Sequence, residues 1–213
     1  MAMHPFCYKV VTKDVDFASA KPYMSDDYLK IMWRRIELLT VVLDMGYNFL
    51  FSDADIIWLR NPFPYLRKDM DFQIATDRFN GDPSSHENAP NGGYMLSRST
   101  ERTRKFYRLW YESRLTYPNK HDQDAFIELR HNIFMNDIQM KMAYLDTAIF
   151  SSFCSHWLYN MSMSVTIHAN CCNGLNNKLR NLQAILQDWK KFIVNGNGER
   201  TWSSPEGCPL YPV

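Results

Sequence analysis

A helix-patterned stretch that stops at a glycine, followed at once by a short aromatic strand that stops on two aspartates, constrains this chain more than any other feature. The stretch opens at Ser25, whose hydroxyl suits a helix N-cap, and Asp26 and Asp27 favour the positive end of the helix dipole. Tyr28, Ile31, Met32, Ile36, Leu39, Val42 and Leu43 recur at helical spacing, so one face is buried. Gly46 supplies the stop. The run Tyr47 to Ser52 is short, apolar and aromatic, as a buried parallel strand is, and Asp53 and Asp55 follow it immediately. In open α/β sheets ligands bind beyond the carboxyl ends of strands, which is where both carboxylates fall. Two residues apart in extended chain, they point to the same side. A hard divalent cation takes oxygen ligands and would cancel their repulsion. The competing reading has one aspartate capping the turn and the other solvated.

The alternation continues. Phe72 to Thr76 and Tyr94 to Ser97 read as strands, Thr100 to Leu115 and Asp124 to His131 as helices, and Lys141 to Leu145 as a further strand. The segment Asn80 to Asn91 has the composition of a surface loop. Val165 to His168 reads as a last strand, and Asn176 to Phe192 as a helix with Leu179, Leu182, Ile185, Leu186 and Trp189 on one face. Phe6 to Val11 reads as a short strand at the start. Helix alternating with strand defines an α/β class, and 213 residues fit one domain. We place it at 1–194, with an irregular tail at 195–213.

Composition excludes several functions. Charged residues make up 22% and leave a net charge of +1, with Lys and Arg scattered among Asp and Glu, so nucleic acid is not an expected partner. No apolar run approaches the roughly 18–20 residues that span a bilayer, and the start lacks the regions of a signal peptide. The five cysteines show no paired metal-finger spacing. The adjacent pair Cys171 and Cys172 lacks a zinc spacing, so burial or a disulfide is the expectation.

Three further segments carry candidate chemistry. His168 ends a strand, Gly174 lies in the turn after it, and Lys178 starts the next helix. An imidazole can complete a metal site, and a glycine turn, a helix N-terminus and a lysine together suit a pyrophosphate. The alternative is a hydrogen-bonded core histidine and a solvated lysine. Asn91, Gly92 and Gly93 precede a strand, where small residues admit a ligand to the backbone and an amide can bind hydroxyls. An ordinary turn explains the same letters. Asp122 and Gln123 open a helix and could bind sugar hydroxyls or polarise a reacting group, although capping also places an aspartate there.

Taken in order, GYNFLFSDADIIWLRNPF, NGGYMLSRS, HDQDAF, YLDTAIFSSFC and HANCCNGLNNKL resemble the plant-type nucleotide-diphospho-sugar transferases of glycosyltransferase family 77. The resemblance runs from about Cys7 to about Trp189. It implies a Rossmann-like GT-A fold, a mostly parallel sheet flanked by helices, and metal-dependent transfer of a sugar from a nucleoside diphosphate, a UDP-sugar, with retention of configuration. Carried over by position, Asp53, Asp55 and His168 would hold Mn2+ or Mg2+, and Asp53 would also contact the donor. Gly174 and Lys178 would meet the pyrophosphate. Asn91, Gly92, Asp122 and Gln123 would line the donor sugar, the last two as the catalytic pair. The acceptor would be a glycan or glycoprotein, and the location the Golgi lumen. The resemblance further implies a nucleotide-binding strand and helix, and a membrane anchor, ahead of HPFCY. The 213-residue chain is therefore expected to be N-terminally truncated and to bind metal and UDP weakly. Asn160-Met161-Ser162 is an N-glycosylation sequon consistent with that route. Two rivals stand beside this reading. A haloacid-dehalogenase-type phosphohydrolase also places Asp-x-Asp after an apolar strand, but Ile57 and Trp58 follow here and no acidic pair appears downstream. A domain that only binds sugars or a partner transferase is the other.

Overall fold

A computed structural model of the chain describes residues 21–130, 137–154, 160–195 and 202–208, together with the single residues Phe6, Val10 and Ser19. Apart from Phe6 and Val10, the strand expected over Phe6 to Val11 lies outside the described residues.

The first helix, α1 (Asp26–Asp44), begins as the sequence dictates, with the Tyr28 amide donating to Ser25 Oγ at 3.2 Å. It ends where Gly46 takes φ +87° and the Tyr47 amide returns to the Val42 carbonyl at 3.2 Å. Its inward face carries Trp33, Ile36, Leu39 and Leu43. Strands β1 (Phe49–Ser52) and β2 (Ile56–Trp58) follow, separated by the residues that hold Asp53 and Asp55. Then come β3 (Phe72–Arg78), β4 (Ala89–Ser97), α2 (Glu101–Glu112), α3 (Asp122–Arg130), β5 (Met142–Tyr144), β6 (Phe150–Ser152), β7 (Thr166–His168) and α4 (Leu175–Asn195). Short 3-10 turns lie at Phe63–Tyr65 and Ser113–Leu115, the second closing the long helix expected over Thr100 to Leu115. Residues 202–208 form neither helix nor strand, yet they are docked: Asn181 on α4 bonds both the amide and the carbonyl of Glu206.

Four strands form one sheet in the order β1-β4-β3-β5, and three form another in the order β2-β7-β6. The expectation of a mostly parallel sheet is corrected. Among the described residues only β3–β5 and β6–β7 pair in parallel, while β1–β4, β3–β4 and β2–β7 are antiparallel. The reason is β4, which runs back between β1 and β3. Asn91, Gly92 and Gly93, expected just before a strand, accordingly lie inside β4.

Alternation along each strand separates three apolar layers. Phe72, Ile74 and Met95 pack under the helices with Phe106, Tyr107, Trp110 and Phe126, an aromatic core between the first sheet and α1, α2 and α3. Ala75, Tyr94 and Phe150 fill the seam between the two sheets. Phe153, Ile167 and Ile185 join the second sheet to α4. Two disulfides, Cys154–Cys171 and Cys172–Cys208, fasten that third layer. They meet the expectation for the adjacent cysteines.

Strands β1 and β3 run in one direction and β4 in the other, so the carboxyl ends of β1 and β3 flank the first residues of β4. This edge brings Asp53, Asp77 and Asn91 to Gly93 together.

Candidate functional site

Asp53 is held at the sheet edge by its own backbone, whose amide donates to the Gly93 carbonyl at 2.7 Å. The chain then turns, and β2 pairs with β7 so that Ile56 lies opposite His168. The Ala169 amide donates to the Asp55 carbonyl at 3.1 Å and fixes that register. The two carboxylates therefore converge through a turn rather than through strand alternation, which corrects the reason given for their pairing. His168 Nε2 lies 3.2 Å from Asp55 Oδ1 and 3.8 Å from Asp53 Oδ2. One ligand atom from each of the three residues lies within 4.8 Å of the others.

Two carboxylates and an imidazole at this spacing make a donor set that suits a small divalent cation with oxygen preference. Glycine at position 93 is part of the fit. A Cβ there would stand 2.3 Å from His168 Cε1 and 2.9 Å from both Asn91 Oδ1 and Asp53 Oδ2.

The charges around the group are unequal. Burial opposes ionisation of Asp55, but the His168 hydrogen bond and Lys178 outweigh it and hold the carboxyl far below the usual range. Lys178 Nζ sits 2.5 Å from Asp55 Oδ2. At Asp53 burial wins and pushes the carboxyl up, with Arg35 and His168 offsetting part of it. Arg35 donates to Asp53 Oδ1 at 3.3 Å through Nη1 and to Asp122 through Nε at 3.1 Å and Nη2. Burial disfavours the Arg35 cation, and the two aspartates more than repay it.

The family model for nucleotide-diphospho-sugar transferases matches residues 1–182 of this chain. The chain belongs to that family. Among its transferase-family relatives, the Arabidopsis thaliana uncharacterized protein At4g15970 is 42% identical over 211 residues, which is 97% of this chain and 55% of that protein. A second Arabidopsis thaliana relative, UDP-D-xylose:L-fucose alpha-1,3-D-xylosyltransferase 3, is 26% identical over 205 residues, 85% of this chain and 52% of that one. The chain thus spans about half the length of the curated relatives it matches. A crystal structure of a glycosyltransferase involved in the glycosylation of the major capsid of PBCV-1 superposes with a TM-score of 0.53 at 12% identity. The overlap covers 78% of this chain and 81% of that chain, and it shows a shared glycosyltransferase fold of GT-A type.

The remaining expected residues of this transferase-family chain fall into two sets. Lys178 joins the carboxylates from the first turn of α4, which Gly174 enters at φ +82°. Gln123 reaches the edge by accepting the Gly92 amide at 2.9 Å through Oε1. Asn91 and Asp122 are turned to the scaffold. Asn91 Oδ1 accepts the Gly93 amide at 2.9 Å, and its Nδ2 donates to Asp77 at 3.3 Å. Asp122 has a side chain only 1% exposed, and it meets the rest of the site through Arg35.

Two site residues escaped the sequence reading. Arg35 stands beside Arg34 on α1, and nothing in the letters separates them. A helix turns about 100° per residue, so Arg34 pairs with Glu37 while Arg35 points inward. Asp77 is the last residue but one of β3 and gathers the amides of Asn91 and Asn170. Burial pushes its carboxyl up, and those amides and His168 offset it in part. The available signal for Asp77 was its position: a second carboxylate at a strand's carboxyl end, as Asp53 is.

Proposed function

We propose that this chain carries the donor site of a metal-dependent glycosyltransferase, which moves a sugar from a nucleoside diphosphate, a UDP-sugar, to a glycan or glycoprotein acceptor with retention. The observation that carries this reading is the convergence of Asp53, Asp55 and His168 within 4.8 Å at the sheet edge, with Lys178 against Asp55. The family membership and the relatives' names support the reaction class. Asp53, Asp55 and His168 hold Mn2+ or Mg2+, which when bound offsets the charge that grows on the departing diphosphate. Gly174 lets α4 begin where its first amides face the pyrophosphate, and Lys178 divides its charge between Asp55 and that pyrophosphate. Gln123 and Gly92 border the donor sugar. Asn91 and Asp122 keep that border in place, Asp122 by orienting Arg35. No carboxylate stands free as a nucleophile among these residues, so the acceptor attacks from the face the diphosphate leaves, and the leaving phosphate receives the acceptor's proton. Two disulfides support a route through an oxidising compartment, with the Golgi lumen as its end. No helix among the described residues is long and apolar enough to cross a membrane.

Melting curves with Mn2+, with UDP and with both test the site. We expect the combined shift to exceed the sum of the separate shifts, and Asp55→Ala to abolish the excess. A screen of UDP-sugars for Mn2+-dependent donor hydrolysis then identifies the sugar. An Asp55→Ala variant that keeps the full Mn2+-dependent UDP shift would overturn the assignment. A shift with no turnover of any donor would favour a domain that binds without catalysing.

A further inference from the structure

We propose that Asn160 carries an N-linked oligosaccharide. The sequon Asn160-Met161-Ser162 occurs once in the 213 residues. The fold presents it where a glycan can be carried. Asn160 and Ser162 are exposed, whereas Met161 between them is buried at 1% exposure, so the middle side chain anchors the peptide and its neighbours face solvent. The Ser162 amide donates to Asn160 Oδ1 at 2.9 Å, and the Asn160 carbonyl accepts the amides of Met163 and Ser164 at 2.9 and 3.1 Å. Arg60 secures the same turn by donating to the carbonyls of Met161, at 2.9 Å, and Ser164. With Oδ1 engaged by the Ser162 amide, Asn160 Nδ2 makes no hydrogen bond among the described residues.

The turn also lies where a large substituent can be carried. It precedes β7 at the end where Thr166 pairs with Trp58 and the Leu59 amide meets the Val165 carbonyl at 2.8 Å. His168 and the two aspartates are at the other end of that strand pair. A glycan on Asn160 therefore covers the neighbouring Met163, which is 45% exposed, without screening the metal group.

A second, independent observation gives the chemistry a place to happen. Four of the five cysteines are in disulfides, and the sequon sits inside the loop closed by Cys154–Cys171. Disulfides form in the oxidising compartment in which such transfer occurs. In the transfer, Asn160 Nδ2 forms a bond to C1 of the reducing-end sugar of a lipid-diphosphate-linked oligosaccharide. The bond from C1 to the diphosphate oxygen breaks, the lipid diphosphate leaves with the electron pair, and the amide proton passes to a base of the transferring enzyme. The inference rests on the lumenal route proposed above but not on the transferase activity.

The test uses the whole gene product, tagged at its C-terminus and expressed in plant cells. Unreduced protein is treated with a thiol reagent to score the cysteines, and a parallel sample with an amide-cleaving glycosidase, followed by gel mobility and mass spectrometry of the peptide bearing Asn160. We expect the four paired cysteines to be protected and one mobility step on deglycosylation. Asn160→Gln and Ser162→Ala should both lose that step. Ser162→Ala keeps the backbone amide that holds the turn and should leave Mn2+-dependent UDP binding unchanged. Protected cysteines with no mobility step would overturn the glycan. A step that persists in Ser162→Ala would place the modification elsewhere and overturn it too. Cysteines that all react would overturn the lumenal route, and the glycan with it.

Discussion

The methyl group of an alanine at position 93 would need to share space with His168, Asn91 and Asp53, whereas at position 92 the nearest atom is the end of the Arg35 side chain at 3.2 Å. A guanidinium tip can shift by a few tenths of an ångström, but a histidine held against two aspartates cannot without breaking the group. We therefore expect Gly93→Ala to cost about 1–3 kcal/mol by overpacking and to erase the Mn2+-dependent UDP shift. Gly92→Ala should keep most of both. Urea unfolding and UDP titration of the two variants check this, and equal behaviour would mean that the space at Gly93 is not part of the site. The glycine pair was legible as a place for close approach. Which of the two is crowded was not, because that depends on β7 delivering His168 across the seam.

At the scale of elements, the second sheet and α4 depend on covalent fastening more than on a large core. The Cys154–Cys171 loop spans 17 residues, and closing a loop of that size is worth roughly 3 kcal/mol in the chain-entropy account. It also ties Cys171, whose neighbour Asn170 donates to the carboxyl of Asp77, to Cys154 just beyond β6. Replacing both cysteines by serine should lower stability by about that amount and weaken UDP binding in the same protein. Unchanged UDP affinity would confine the disulfide to a stabilising role. In the first sheet the corresponding fastening is electrostatic. Asp71, just before β3, receives Arg102 of α2 at 2.7 and 3.0 Å and the Lys141 amide before β5 at 3.0 Å. Burial opposes its ionisation, but Arg102 and that amide hold its carboxyl below the ordinary range. A depressed folded-state pKa stabilises the fold above the unfolded value of about 3.9 and is lost as pH falls from there toward the folded value. Asp71→Asn should cost about 1–2 kcal/mol near neutrality, and the gap to the wild type should narrow as pH drops below about 4. Urea midpoints across that range measure it, and a pH-independent gap would remove the charge from the explanation.

For the molecule as a whole, Asp53 and Asp55 lie on the link between β1 of one sheet and β2 of the other, with His168 arriving from the second sheet. A ligand held there bridges the two sheets and stabilises only the folded chain. Mn2+ with UDP at a hundred times its dissociation constant should add about 2.7 kcal/mol, which for a chain of this size raises the melting temperature by roughly 5–10 °C. Chelation of the metal should reverse the rise, and a shift insensitive to chelation would place UDP binding away from these residues. Local signals determined much of this architecture in advance. The Ser25 cap, the apolar period of α1 and the Gly46 stop act over a few residues, so α1 and the strand that ends on Asp53 were readable from their own letters. The order of Asp53, Asp55, His168, Gly174 and Lys178 was readable as well. Strand direction was not, because an apolar run has the same composition whether its neighbour is parallel or antiparallel, and only the packed sheet places β4 between β1 and β3. Nor was Arg35 separable from Arg34, and Asp77 offered only its place at a strand's carboxyl end. Their roles arise from contacts between segments far apart in the chain, and those contacts exist only once three layers have packed around the seam.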